Sequence, residues 1–329
     1  MKLVSHQKAH HDRLTKSLAP CVTVIVVNYN QDKYISQAIE SILNQTFNDY
    51  EIIIIDDGSQ DNSLNIIKKI IDQSSQKINF FSHKNNQNLG ISRTYSLGIS
   101  KARGKYIAFL EADDVWDENY LKSKVDILDQ HRDVGVVFSK YKIVSENLYG
   151  YDMDMRQKII TMWMYRNRPF SNLKNLIKKN NVATFSAFVT RKYLLDNVST
   201  YLPRHLYFLD WWILFQLSMH SKFYLDNSSI VYWRHYRRST MGKQKMDDHK
   251  KQLSEFMNMM YEKIDKEYIT LSRHDQLYYQ KKKGILPYFN QFYTHPSIKN
   301  FFSFFRLDPV WALESMLSYL TSYCKYSSV

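Results

Sequence analysis

Two periods alternate along the first 140 residues. Short, mostly apolar runs at Val22 to Val27, Glu51 to Ile55 and Lys105 to Leu110 read as strands, the second of them buried on both faces. Between them, apolar residues return every three or four positions: Tyr34, Ile35, Ala38, Ile39, Ile42 and Leu43, then Leu64, Ile66, Ile67, Ile70 and Ile71. That spacing predicts helices laying one apolar face on the sheet. A third strand is expected around Ile78 to Ser82, a helix over Gly90 to Ala102 with Gly104 as a left-handed stop, and a further strand over Val134 to Phe138. Strand and helix in regular alternation predict an α/β fold with a mainly parallel central sheet.

In such sheets, ligands bind beyond the carboxyl ends of the strands. Asn28, Tyr29, Asp57 and the cluster Glu111-Ala112-Asp113-Asp114 all fall at those ends, so they are expected to share one crevice. Three carboxylates that close repel one another and need solvent, hydrogen-bond donors or a cation to stay ionised. Each element also has a plainer reading: Asp57 as a helix cap, Tyr29 as a half-buried aromatic, the acidic cluster as a solvated turn.

Past residue 140 the pattern loosens. Residues 140–180 are polar and aromatic, with Trp163, Tyr165, Arg166 and Arg168; Thr184 to Val189 reads as a strand and Trp211 to Leu217 as a helix. Asp308-Pro309 reads as a cap and first helical position ahead of Val310, Leu313, Leu317 and Leu320, and Lys281-Lys282-Lys283 as a solvated charge run.

Charge sharpens the division. The chain carries 45 basic and 32 acidic side chains, yet residues 1 to 150 hold 18 of each, so the later part carries the whole excess of +13. A basic field attracts phosphate-rich partners: nucleic acid, an anionic membrane surface or a phosphorylated small molecule. No nucleic-acid-binding motif is visible, and an acidic crevice repels a polyanion, so no nucleic-acid partner is expected. The two cysteines, Cys21 and Cys324, give neither a disulfide framework nor a metal spacing, the first twenty residues lack a leader's apolar core, and no run is long enough to span a bilayer. The expected location is cytoplasmic.

The segments VIVVNYNQDKYISQAIESILNQT, EIIIIDDGSQDNS, NLG and GKYIAFLEADDVW, in this order over residues 21 to 140, resemble the nucleotide-binding half of family 2 glycosyltransferases of the GT-A fold. The resemblance implies an inverting, metal-dependent hexosyltransferase of bacterial surface polysaccharide assembly. Its donor would be a nucleoside diphosphate sugar, most commonly of uridine, and its acceptor a saccharide or lipid-linked saccharide. Val27 and Tyr29 would hold the base, Asp57 would accept a hydrogen bond from it, and Asp113 would contact the ribose or sugar. Asp114, with Glu111, would hold Mn²⁺ or Mg²⁺, hard cations suited to carboxylate oxygens. Where many relatives have Arg-Asn, this chain has Tyr95-Ser96, and Arg93 is the substitute candidate for phosphate contact.

The run Tyr207 to Leu217 resembles the family's EDWxLWLRL segment with Leu209 in place of Glu, which makes Asp210 the general base; the alternative is a helix cap. Val231 to Thr240 resembles the segment ending in Arg-x-His. Aligning His235 with that histidine brings Ser239 into place and makes His235 a diphosphate or metal contact; keeping Arg234 instead puts Tyr236 at the histidine.

The expected layout is a polar extension over 1–20, a glycosyltransferase domain over 21–242 divided near 140, and a helical, aromatic and basic region over 243–329. In that last region Phe301, Phe302, Phe304, Phe305 and Trp311 either meet an anionic membrane surface, making the protein peripheral on the inner face, or close the core. Two other classes stay open at this stage: a catalytically inactive sugar-nucleotide binder and a basic nucleic-acid-binding protein.

Overall fold

The computed structural model describes residues 19–146, 148, 168–198, 200–203, 205–236, 246–267, 271–295, 297–309, 312, 313, 315 and 316. The first part runs β1 (Val22–Asn28), α1 (Ile35–Leu43), β2 (Tyr50–Asp56), α2 (Ser63–Gln73), β3 (Ile78–Ser82), α3 (Ile91–Lys101) and β4 (Tyr106–Glu111). It continues with β5 (Val115–Trp116), α4 (Tyr120–Gln130) and β6 (Val134–Val144). The second part adds α5 (Leu173–Leu176), β7 (Phe188–Arg191), α6 (Lys192–Leu195), α7 (Leu209–His220) and β8 (Lys222–Arg234). Helices α8 (Met246–Glu267), α9 (Arg273–Thr294) and α10 (Ile298–Leu307) follow.

One eight-stranded sheet carries all of this, in the order β3-β2-β1-β4-β7-β6-β8-β5. The strands β3, β2, β1 and β4 are parallel, and β6 pairs in parallel with β8, whereas β7 is antiparallel to both neighbours and β5 to β8. Every residue of β2 is buried, as is nearly all of β1, which explains why their sequences read as continuous apolar runs. Parallel pairing also fixes direction: β1, β2 and β4 end side by side, with Asn28 opposite Asp56 and Val27 opposite Glu111.

Helix α3 lies close against the sheet because Gly98 has no side chain; a Cβ there would come within 2.6 Å of Ile25. Gly104 serves a different purpose from the expected one. It is not in the left-handed region, and its role is close approach, since a Cβ would sit 2.4 Å from the Thr23 nitrogen. The strand expected at Thr184 is also displaced: Phe185–Ala187 form a 3-10 turn and β7 starts at Phe188. Thr184 keeps an extended backbone and its hydroxyl caps the turn by accepting from the Ser186 N–H, while the hydroxyls of Thr184 and Ser186 both bond Glu111.

Of the C-terminal helices, α8 packs at the start of α7, α9 on α8 and α5, and α10 on α9. Phe256 of α8 lies 5.0 Å from the rings of both Phe208 and Trp211, and the Tyr278 hydroxyl of α9 donates to the Lys174 carbonyl. Phe304 is fully buried against Phe289 and Phe292, with Phe301 beside Phe292, while Phe302 is exposed. Lys282 corrects the expectation of a solvated lysine run: it is buried and paired with Asp308, whose carboxylate therefore serves the ion pair. Charge neutralisation is what permits a lysine at that depth. Trp311, Val310, Leu317 and Leu320 lie outside the described residues.

Candidate active site

At the end of β1, Asn28 is buried and donates to Asp56 at 2.7 Å and Ser59 at 3.0 Å, locking the turn that follows. Asp56 turns inward as well, accepting from the main-chain N–H groups of Gly58 and Ser59. The two neighbouring aspartates thus divide: Asp56 closes its own turn, and Asp57 reaches across to the next loop. One Asp57 oxygen accepts from the N–H of Leu89 at 2.7 Å, and the other from Gly90 at 3.0 Å. Gly90 stands at φ +87°, a backbone state that favours glycine, and this aims its N–H at the carboxylate. His83 lies 3.5 Å from the same carboxylate and bonds to Thr94. Burial pushes the Asp57 carboxyl up, and the two N–H bonds and His83 pull it back in part. Val27 is half-buried, and Tyr29, directly after β1, is 46% exposed.

Strand β4 delivers the acidic cluster. Glu111 accepts the Thr184 hydroxyl, Asp113 accepts the Tyr236 hydroxyl at 3.0 Å, and Asp114 accepts the main-chain N–H of Arg234 at 3.0 Å. The second Asp114 oxygen is buried without a hydrogen bond. All three carboxyls are pushed up by burial; Asp113 and Glu111 push Asp114 further, and Asp113 does the same to Glu111. Such a cluster lowers its energy by gaining a cation. Among the described residues no group of three or more His, Cys, Asp or Glu side chains is placed to hold a metal ion. One or two carboxylate oxygens with an open remainder fit a magnesium-like ion shared with a diphosphate, and the bare Asp114 oxygen fits that role.

Asp210 enters from α7. The residue before the helix is Phe208, so Asp210 lies in the first turn and is not the cap. Its Oδ2 accepts from Asn180 Nδ2 at 2.8 Å. Burial raises its carboxyl to about 7, with the Trp211 N–H and Asn180 drawing it down. Asp210 and Glu111 are close enough that each adds to the cost of ionising the buried Tyr95 phenol. Strand-end and helix-start carboxylates therefore share one crevice.

Three placements were beyond the sequence. Tyr95, standing where an arginine is common, is wholly buried, stacked 3.9 Å from Phe185, with its hydroxyl unbonded among Glu111, Asp210, Asp114 and Asp113. Arg93, two positions earlier, is exposed on α3. At the end of β8 the two sides of the strand differ: Arg234 and Tyr236 turn to the acidic cluster, while His235 packs 4.1 Å from the Trp233 ring. Strand alternation is the signal that could have found this, because it puts Tyr236 in register with Arg234. Arg234 is 2% exposed, lies over the Tyr34 ring at 4.3 Å and donates to Gln37. Arg237, Arg238, Ser239 and Thr240 fall outside the described residues.

Known proteins resemble this chain in sequence and in fold. The chain is 40% identical over 116 residues to an uncharacterised glycosyltransferase of Nostoc sp., covering 35% of each chain. It is 33% identical over 135 residues to the glycosyltransferase GlyG of Streptococcus pneumoniae, covering 41% of each. It is 36% identical over 118 residues to the putative glycosyltransferase EpsE of Bacillus subtilis, covering 36% of this chain and 42% of that one. These matches thus span less than half of the relatives' own length. Among solved structures, the fold is similar to residues 1-349 of S. aureus TarS in complex with UDP-GlcNAc, with TM-score 0.62 and 18% identity over 88% of this chain and 80% of that one. It is also similar to GalNAc-T7 with UDP, GalNAc and Mn²⁺, with TM-score 0.51 and 13% identity over 73% of this chain and 48% of that one. The family pattern described as Glycosyl transferase family 2 matches residues 23–198, more than half of the chain, and with the GT-A architecture around the strand ends it makes this protein a member of that glycosyltransferase family.

Proposed function

We propose that the protein is an inverting glycosyltransferase that takes a sugar from a nucleoside diphosphate donor, with uridine as the base, to a saccharide or lipid-linked saccharide of a bacterial surface polysaccharide. The observation that carries this reading is that one short loop bonds both Asp210, through Asn180, and the acidic cluster, through Thr184 on Glu111. UDP-GlcNAc in the S. aureus neighbour supports uridine.

The division of labour follows from the surroundings of each group. Tyr29 offers an exposed ring face for stacking a base, with Val27 beside it, and Asp57 accepts an N–H from the base edge. Asp113 accepts a ribose or sugar hydroxyl in place of the Tyr236 hydroxyl it holds here. Arg234 keeps two buried N–H groups unbonded beside the acidic cluster, which supports a role on the diphosphate; His235 would reach it only by turning from Trp233, and Arg93 only from the outer face of α3. A Mn²⁺ or Mg²⁺ ion held by Asp114 and Glu111 would supply positive charge to the departing diphosphate.

Asp210 takes the proton from the acceptor hydroxyl as its oxygen bonds to the anomeric carbon. The bond from that carbon to the diphosphate oxygen breaks on the opposite face, and the configuration inverts. A carboxylate ionising at about 7 is matched to that task, being basic enough to accept a proton and about half ionised at neutral pH. Among the described residues no helix is long and apolar enough to cross a membrane, so a lipid-linked acceptor would be met at the surface, with Phe302 and the basic later half facing anionic lipid.

A screen of sugar nucleotides for diphosphate release, run with and without Mn²⁺, tests the proposal. UDP-sugars should be turned over and Mn²⁺ should raise the rate. Binding of UDP without turnover of any donor would instead favour an inactive sugar-nucleotide binder.

A further inference from the structure

The loop of residues 180–184 touches both sides of the crevice. Asn180 Nδ2 donates to Asp210 at 2.8 Å, and its Oδ1 accepts from the main-chain N–H groups of Val182 at 3.0 Å and Ala183 at 3.2 Å. That double commitment of the carbonyl fixes which half of the amide faces Asp210, because a flipped amide would oppose its NH₂ to two donors. Ala183 then stands at φ +84°, a state that costs an L-residue energy, and it turns the chain so that the next residue, Thr184, donates its hydroxyl to Glu111. One five-residue loop thereby bonds the carboxylate at the start of α7 and the first carboxylate of the β4 cluster.

The loop is itself anchored. Asn172, fully buried, exchanges side-chain amide bonds with Asn181 at 3.0 Å in each direction. The Trp211 indole donates to the Leu176 carbonyl at 2.7 Å, tying α7 to α5 just upstream of the loop. Val182 and Thr184 are buried. Asn180 is therefore held by backbone bonds at a point set by packing, and it presents one N–H to one carboxylate oxygen.

We propose that Asn180 is a positioning residue for Asp210: it ties one carboxylate oxygen so that the other is turned toward the acceptor hydroxyl. The inference rests on the reading of Asp210 as the base. Rotation about the last torsion of an aspartate is soft and nearly two-fold, so packing of the helix does not choose the direction of the oxygens; the Trp211 N–H at the helix start and the Asn180 amide do. Proton removal depends on that direction, because the accepting lone pair must lie within hydrogen-bond reach of the hydroxyl. A tie made only to connect α5 with α7 would have no such requirement, and the Trp211–Leu176 bond already makes that connection.

The test uses the full chain, UDP-GlcNAc hydrolysis with water as acceptor, and calorimetric UDP binding in the presence of Mn²⁺. Four proteins are compared with the parent: Asn180→Ala, Asn180→Asp, Asp210→Asn, and Asn180→Ala combined with Asp210→Asn. Asn180→Ala should lower kcat about tenfold with UDP affinity within twofold, and Asn180→Asp should lower it further by setting a second carboxylate against Asp210. On the Asp210→Asn background, Asn180→Ala should add almost nothing, since a residue acting through another loses its effect when that other is gone. Full activity in Asn180→Ala, or an equal loss on both backgrounds, overturns the positioning role while leaving Asp210 as base. Full activity in Asp210→Asn overturns the base reading itself, and the role of Asn180 falls with it. Loss of UDP affinity in proportion to kcat would show Asn180 to be a structural strut and would also overturn the proposal.

Discussion

Two aspartates on opposite sides of the crevice are held in opposite ways. Asp57 sits in a cradle of main-chain N–H groups from a loop about thirty residues downstream, between consecutive elements of a parallel sheet. Asp210 is held by the Trp211 N–H of its own helix and by one side-chain amide, Asn180, from a loop outside the regular β/α alternation. Backbone donors persist through most side-chain substitutions, so the nucleotide side tolerates sequence change. A single amide does not, and the acceptor side is correspondingly open to retuning. Under the proposed roles, binding would fall to a backbone-held half and chemistry to an adjustable one, and that is the division this contrast suggests.

The largest expected effect separates the halves directly. Asp210→Asn should lower turnover by about 10²–10⁴, the usual contribution of a positioned acid or base, with UDP affinity nearly unchanged. Asp57→Ala should do the reverse, weakening UDP about tenfold or more through loss of a charged acceptor of about 1.5–3 kcal/mol, with turnover at saturation largely kept. Steady-state kinetics beside UDP calorimetry read both quantities. Equal losses of affinity in the two variants would end the contrast.

An intermediate effect is expected from pH. Asp210 must be ionised to accept a proton, so turnover should climb as pH rises through about 7 and level off above it. The same carboxyl ionises near 4 in the unfolded chain, so the native state binds the extra proton between those values. Its contribution to stability is therefore full below pH 4 and is lost as pH rises toward 7. Thermal melts across that window should show a falling Tm whose slope flattens in Asp210→Asn. An unchanged slope in that variant would place the burial cost on other carboxylates, Glu111 and Asp114 first.

The smallest expected effect compares the two left-handed positions. Gly90→Ala would put a Cβ on the Asp57 cradle at φ +87° and should destabilise by about 1–2 kcal/mol. Ala183→Gly relieves the same kind of cost at φ +84° but gives the unfolded chain more freedom, leaving a net gain of under about 1 kcal/mol. Turnover in Ala183→Gly should still fall a few-fold, because the loop that orients Asp210 is loosened. Denaturant midpoints and kcat measured together check this; a variant both more stable and equally active would sever loop rigidity from catalysis.

Much of the first half was legible because each element announces itself locally. Strands β1, β2 and β4 are continuous apolar runs because both faces are covered, and α1 and α2 show their buried stripe at helical spacing. Elsewhere, local signals pointed the wrong way. Phe185-Ser186-Ala187 looked like the start of a strand, yet it forms a tight turn capped by the Thr184 hydroxyl, with Thr184 and Ser186 both bonded to Glu111. Lys282 read as one of three solvated lysines, and only the arrival of Asp308 from 26 residues away makes its burial tolerable. Tyr95 gave no sign in the sequence that its hydroxyl would lie among four carboxylates.

What the sequence determined by itself is therefore the order of strands and helices, the strand-end location of Tyr29, Asp57 and the Glu111 to Asp114 cluster, and, through linked motifs, the family. These rest on periodicity and turn chemistry, which act over a few residues at a time. What only the tertiary structure decided is which side chains meet: Asn180 with Asp210 across 30 positions, Glu111 with Thr184 across 73, and Asp114 with the Arg234 backbone across 120. Those pairings depend on strand order and on the depth of the crevice, which are set when the sheet assembles and water is excluded from all of these groups at once.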